Sequence, residues 1–138
     1  MLKIGLVGYS DKKFDKELAK KLVAIGLLKA AESQYDDEIV LVSGLTNLGI
    51  PAIGYSFAKE QGWKTVGIAC SKASEYECFP VDEKHIIGDD WGEESETFLN
   101  SIDVLVRIGG GKQSEKEEKM AMDKDIPCFS FELPLQSS

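Results

Sequence analysis

The residues most able to do chemistry fall in one short run, Gly109-Gly110-Gly111-Lys112-Gln113-Ser114-Glu115-Lys116-Glu117. Three consecutive glycines let backbone amides approach an anion closely, and a helix opening just after them adds favourable potential. Lys112 is placed to meet a phosphate, and Ser114 can cap the helix and donate to an oxyanion. Glu117 lies one helical turn beyond Ser114, which directs its carboxylate back toward the loop. It is the candidate for an acid, a base or a ribose contact. The ordinary explanations are a capping box, since Ser114 and Glu117 make S-x-x-E, and a solvated face, since Glu115–Lys119 is a run of charges. The standard nucleotide motifs are absent. Gly5 and Gly8 do not complete G-x-G-x-x-G, and Gly109–Ser114 does not make G-x-x-x-x-G-K-[ST].

The elements that must position this loop can be read from the period of the apolar residues. Leu2–Val7 is a short apolar run closed by glycine, as a buried strand is. Phe14, Leu18, Leu22, Ile25 and Leu28 then recur at three- and four-residue spacing, predicting an amphipathic helix from about Asp11 to Ala31. Asp11 is its expected cap, and Gly26 weakens its interior slightly. Glu38–Ser43 reads as a second strand. Pro51–Gln61 reads as a helix with Ile53, Phe57 and Ala58 inward, ended by Gly62. Lys64–Ala69 is a third strand, and residues 70–84 show no clean period. His85–Gly88 is a short fourth strand, followed by a turn at Asp89–Gly92 and a helix over Glu93–Ser101. Ile102–Ile108 leads into the glycine loop, a charged helix runs to about Asp123, Pro127–Phe131 is the last strand, and Leu133–Ser138 is a tail. Apolar strands joined by helix-length crossovers predict a three-layer α/β fold: a mostly parallel sheet of five to six strands with helices on both faces.

In such a sheet, ligands bind outside the carboxyl ends of the strands. Those ends are Gly8-Tyr9-Ser10, Ser43-Gly44 and the residues to Asn47, Ala69-Cys70-Ser71, and Gly109 to Ser114. The expected ligand-binding residues are therefore Gly8, Tyr9, Ser10, Ser43, Gly44, Gly109, Gly110, Gly111, Lys112 and Ser114, with Glu117 as the catalytic candidate. Asp89, Asp90 and Trp91 read as a surface turn with a half-buried Trp, His85 as a strand-edge residue, and Cys70 as a buried inert thiol. Arg107 lies within a strand, where it can pair with an acid.

The chain has 138 residues, which suits one domain over 1–138. Its 16 Lys+Arg against 24 Asp+Glu give a net charge of −8. That balance disfavours nucleic acid but not one small phosphate held by amides. The single histidine excludes two-histidine metal sites. No metal and no resident cofactor is expected. Three cysteines without a C-x-x-C, and no secretory or membrane-spanning apolar segment, read as a cytoplasmic chain with reduced thiols.

Gly5-Leu6-Val7-Gly8-Tyr9-Ser10, Val42-Ser43-Gly44-Leu45 through Gly49 and Ala58, Thr65-Val66-Gly67-Ile68, and Gly109-Gly110-Gly111 to Glu117 resemble, in that order, the SLOG superfamily. That group includes the Lonely Guy phosphoribohydrolases, the molybdenum-cofactor carrier proteins and the Rossmann-like domain of DNA-processing protein A. The resemblance implies a Rossmann-like fold holding a nucleotide or nucleotide-derived ligand by its glycine loops. In the Lonely Guy enzymes the loop reads P-G-G-x-G-T-x-x-E, and its glutamate assists cleavage of the base–ribose bond. Here Ile108 stands for the proline, one residue is added, Ser114 takes the threonine position and Glu117 the glutamate position. The Arg-Lys pair those enzymes carry on the preceding helix is replaced by Glu93-Glu94-Ser95-Glu96-Thr97-Phe98-Leu99, so the transition-state cation is missing. The expected function is binding of a small nucleotide-like ligand as a sensor or carrier. The alternative is an N-glycosidase acting on a nucleoside monophosphate through Glu117. A homodimer through helices of one sheet face is the expected assembly, with Met120-Ala121-Met122 as a contributor.

Overall fold

The structure is a computed structural model, described for residues 1–10, 13–34 and 36–136. Six strands form one parallel sheet: β1 (Leu2–Gly8), β2 (Ile39–Ser43), β3 (Lys64–Ala69), β4 (Glu83–Ile86), β5 (Val104–Ile108) and β6 (Cys128–Phe131). Their order is β4-β3-β2-β1-β5-β6. The order reverses between β1 and β5, and that switch point is where a parallel sheet opens a crevice. The four helices are α1 (Lys16–Ser33), α2 (Gly49–Gln61), α3 (Ser95–Asn100) and α4 (Lys112–Asp123).

Side chains alternate across β1 and so feed two cores. Ile4 and Leu6 pack with Ala19, Val23 and Leu27 of α1 and Ile50 and Tyr55 of α2. Val7 packs with Phe98 and Leu99 of α3, Ile102 and Ala121 of α4. The three-layer arrangement predicted from the apolar periods is therefore present.

Several local expectations shift. The helix predicted from Asp11 begins at Lys16, capped by Asp15, whose Oδ1 accepts from the Leu18 amide at 3.1 Å. Asp11 itself, and the last two residues of the tail, lie outside the described residues. Phe14 is not on the helix. It precedes α1 and bridges to Leu135. The predicted apolar face is also the wrong one. Leu18, Ile25 and Leu28 are exposed, and the residues facing the sheet are Ala19, Val23, Gly26, Leu27 and Ala30. A Cβ at Gly26 would lie 2.7 Å from Val106 Cγ1, so Gly26 serves close helix–sheet contact more than it weakens the helix. The fourth strand lies two residues earlier than predicted, over Glu83–Ile86, at an exposed sheet edge. The stretch read as irregular contains a short 3-10 helix, Ser71–Glu75. The Met120-Ala121-Met122 cluster splits, with Ala121 buried and Met122 exposed.

Helix α2 buries Tyr55 rather than Phe57 as its main anchor. The Tyr55 hydroxyl lies 2.7 Å from the Gly44 carbonyl and 3.0 Å from that of Val66, tying the end of β2 to β3. Burial pushes its pKa up, so it stays a neutral donor. Tyr55→Phe leaves both carbonyls without this partner and should lower stability by about 1–3 kcal/mol, read by urea denaturation. An unchanged midpoint would show that the hydroxyl is not what joins these strand ends.

Candidate functional site

Helix α4 starts on the third glycine. Gly109 and Gly110 have φ of 59° and 103°, conformations that L side chains rarely adopt, and together they turn the chain from β5 into α4. The Gly109 amide donates to the Phe131 carbonyl at 2.8 Å. Gly110 is closed in: a Cβ there would lie 2.4 Å from Ser114 Cβ and 3.4 Å from Gly8 Cα. Gly111 differs, with φ of −94° and no atom within 4 Å of a Cβ. It is the glycine that lines the cleft, while Gly109 and Gly110 stand behind it and set the turn.

Gly111 caps α4 through its backbone, with no side-chain cap. Among the described residues, the amides of Lys112, Gln113 and Ser114 have no hydrogen-bond partner. They are the unsatisfied donors of a helix N-terminus, where the dipole favours negative charge. Ser114 is nine-tenths buried as a residue and lines the cleft, and its hydroxyl, which no described group bonds, is the part that stays accessible there. The capping-box explanation therefore falls: Ser114 does not cap α4, and Glu117 bonds elsewhere.

Glu117 is 6% exposed and lines the same cleft. Ser95 Oγ donates to its Oε2 at 3.0 Å. Burial pushes its pKa up to about 7, and the neighbouring Glu94 charge adds to the rise, against the Ser95 hydroxyl and the Gln113 amide. So Glu117 is not part of a solvated face, although Glu115, Lys116 and Lys119 are. Glu94 is the residue that sequence reasoning missed. It is also 6% exposed and lines the cleft. Its Oε1 accepts from Gln113 Nε2 at 2.9 Å and its Oε2 from the Gly92 amide at 3.1 Å. The one available signal was its place where the resembled enzymes carry a cation.

The cleft has a volume of about 420 Å3 and runs along the carboxyl ends of β1, β2 and β3 to the start of α4. Gly8, Tyr9, Ser10, Ser43 and Gly44 all line it, with Lys112 at its rim. The Ser43 hydroxyl hydrogen is already given to the Leu6 carbonyl at 2.7 Å, leaving its oxygen as an acceptor. Trp91 lines the cleft, 47% exposed, with its ring 6.1 Å from that of Tyr76. Asp90 instead pairs with Lys72, and Asp89 accepts weakly from Ser71 at 3.5 Å. Arg107 is held away, donating to Glu118 and Glu132, each at 3.1 Å, and to the Gly109 carbonyl at 2.8 Å. His85 is exposed on β4, and Cys70 is fully buried.

The fold and the placement of this cleft define a Rossmann-like α/β domain with its crevice at the carboxyl ends of the strands. No protein-family model and no curated protein matches the chain. Solved structures do match. The X-ray structure of TM1055 has a TM-score of 0.73 at 25% identity, over 93% of this chain and 72% of that one. The molybdenum cofactor binding protein of the phototrophic bacterium Rippkaea orientalis has a TM-score of 0.74 at 23% identity, over 94% and 75%. The molybdenum cofactor carrier protein of Chlamydomonas reinhardtii has a TM-score of 0.69 at 21% identity, over 94% and 75%. The architecture is thus the Rossmann-like fold that the sequence resemblance implies.

Proposed function

We propose that the protein binds a small nucleotide or nucleotide-derived ligand in this cleft, as a sensor or carrier. The observation that carries the reading is the open Gly111 followed by three unpartnered amides and a Ser114 hydroxyl that no described group bonds and that stays accessible from the cleft. Together they make a seat for one phosphate, with Lys112 at its rim. Trp91 at the mouth offers a face on which a base can stack. Two of the similar structures are named for molybdenum cofactor, which supports a carrier's role. The free thiols Cys70, Cys78 and Cys128 support a reducing, cytoplasmic setting. No helix among the described residues is long and apolar enough to cross a membrane. The exposed Leu18, Ile25 and Leu28 of α1 support a homodimer through that helix, which sedimentation reads directly.

The test is titration calorimetry with AMP, cyclic nucleotides and ADP-ribose, with native mass spectrometry of ligand retained through purification. Binding without release of base is the expected result. If none binds at millimolar concentration and none is retained, the reading fails. A second reading has its own observation. Glu117, with its pKa near 7, is tuned as a general acid–base would be at neutral pH. An N-glycosidase acting on a nucleoside monophosphate would release free base from AMP and lose that activity in Glu117→Gln. The two carboxylates, with no arginine facing them, favour binding over hydrolysis.

A further inference from the structure

The two ends of the cleft make opposite electrostatic demands. The glycine end offers only donors: the amides of Lys112, Gln113 and Ser114, the Ser114 hydroxyl and the Lys112 ammonium. About 4.5 Å further along α4, by the rise of three helical residues, the wall is acidic. Glu117 and Glu94 are both nine-tenths buried there, and both line the cleft. Their hydrogen bonds come from neutral groups: Ser95 Oγ, Gln113 Nε2 and the Gly92 amide. Among the described residues no cation pairs with either. The one arginine is committed to Glu118 and Glu132.

We propose that the ligand is zwitterionic, carrying a protonated amine or amidine about one helical turn from its phosphate, and that Glu94 is the residue that selects it. This rests on the cleft being the ligand site. A neutral ligand would leave two buried carboxylates uncompensated, and a second phosphoryl group there would meet them as a like charge. A cationic nitrogen answers both, with the free lone pairs of Glu117 and Glu94 as its acceptors. The substitution of an acid for the cation of the resembled enzymes then exchanges one ligand charge for another.

The groups that set the charge state of Glu117 are few. Glu94, before α3, repels its ionised form, and Lys116 on α4 favours it. Lys112 stands at the rim, and the strand ends beneath contribute glycine and apolar side chains: Leu6, Val7, Gly8, Ile68 and Ala69. A cation entering the acid end drives Glu117 to ionise and release its proton. A phosphate entering alone has the opposite effect and drives proton uptake.

The experiment compares O-phosphoethanolamine with ethyl phosphate, a pair alike except for the ammonium. Calorimetry at pH 7 in buffers of differing ionisation enthalpy gives both affinity and proton count, and the same titrations on Glu117→Gln give the protons that belong to the probe's own phosphate, to be subtracted. Expected are about tenfold or more tighter binding of phosphoethanolamine with net proton release, and proton uptake with ethyl phosphate. In Glu94→Gln the preference should shrink severalfold. Because the wild-type comparison stands alone, poor folding of that variant does not decide the matter. Equal affinity for the two probes, with uptake in both cases, overturns the zwitterion while leaving the phosphate seat intact. Failure of both probes, and of AMP, at millimolar concentration overturns the seat as well.

Discussion

Gly111→Asp should abolish ligand binding and leave the protein folded, while Gly110→Asp should damage both. At Gly111 the backbone is extended, with φ of −94° and ψ of −154°, and a Cβ meets nothing within 4 Å. The position is the N-cap of α4, where aspartate is a favoured residue. The new carboxylate would accept from the amides of Gln113 or Ser114 and stabilise the helix by about 0.5–1 kcal/mol. It would then occupy the proposed phosphate seat. Loss of affinity for AMP by about a hundredfold or more is expected, since the anion must both displace and repel the carboxylate. Gly110 offers no such room. Its φ is 103°, and its Cβ would lie 2.4 Å from Ser114. Strain of about 1–3 kcal/mol should lower its melting temperature by several degrees. Thermal melts and calorimetry on the two variants decide the matter. A Gly111→Asp protein that binds AMP as the wild type does would remove this loop as the anion site.

That contrast between adjacent glycines marks how far the sequence could be read. The strands, the crossover lengths and the glycine loop are local patterns, so their positions followed from apolar runs and turn residues. Strand β4 lies two residues before its expected position because its residues are all exposed, and such an edge strand has no buried apolar run to locate it. The face of α1 departs from its apolar period for a related reason. Large residues at helical spacing, Leu18, Ile25 and Leu28, dominate the period but face outward. Yet small residues are what a helix uses when it lies close against a sheet, and Gly26 over Val106 shows that contact. The chemistry divides the same way. Glu117 could be proposed from its spacing to Ser114 along one helix. Glu94 stands among Glu93 and Glu96, and only the approach of α4, through Gln113, turns it inward. Burial of one acid in a run of acids is a tertiary fact that no local pattern records.

Glu117 should also be visible in stability. An ordinary glutamate titrates at 4.5, and in the folded protein burial pushes Glu117 up to about 7. Below pH 4.5 the group is protonated in both states, and the neutral form sits comfortably in the cleft. As pH rises from 4.5 to 7 the unfolded chain ionises first and is favoured. Stability is therefore lost across that window, and above pH 7 the folded protein carries a cost of about 3 kcal/mol from this group. Glu117→Gln removes the charge while keeping an oxygen for the Ser95 hydroxyl. At pH 8 it should stabilise the ligand-free protein by about 2–3 kcal/mol, and at pH 4 by almost nothing. Urea denaturation of both proteins from pH 4 to 8 gives the two curves. Curves that stay parallel would show that Glu117 ionises as an exposed acid does, and would end its role at the cleft wall. Under the proposed function, a buried carboxylate that destabilises the free protein at neutral pH has a use in binding. A ligand that supplies a donor or a cation there relieves the cost on binding, so destabilisation of the free state becomes affinity in the bound one.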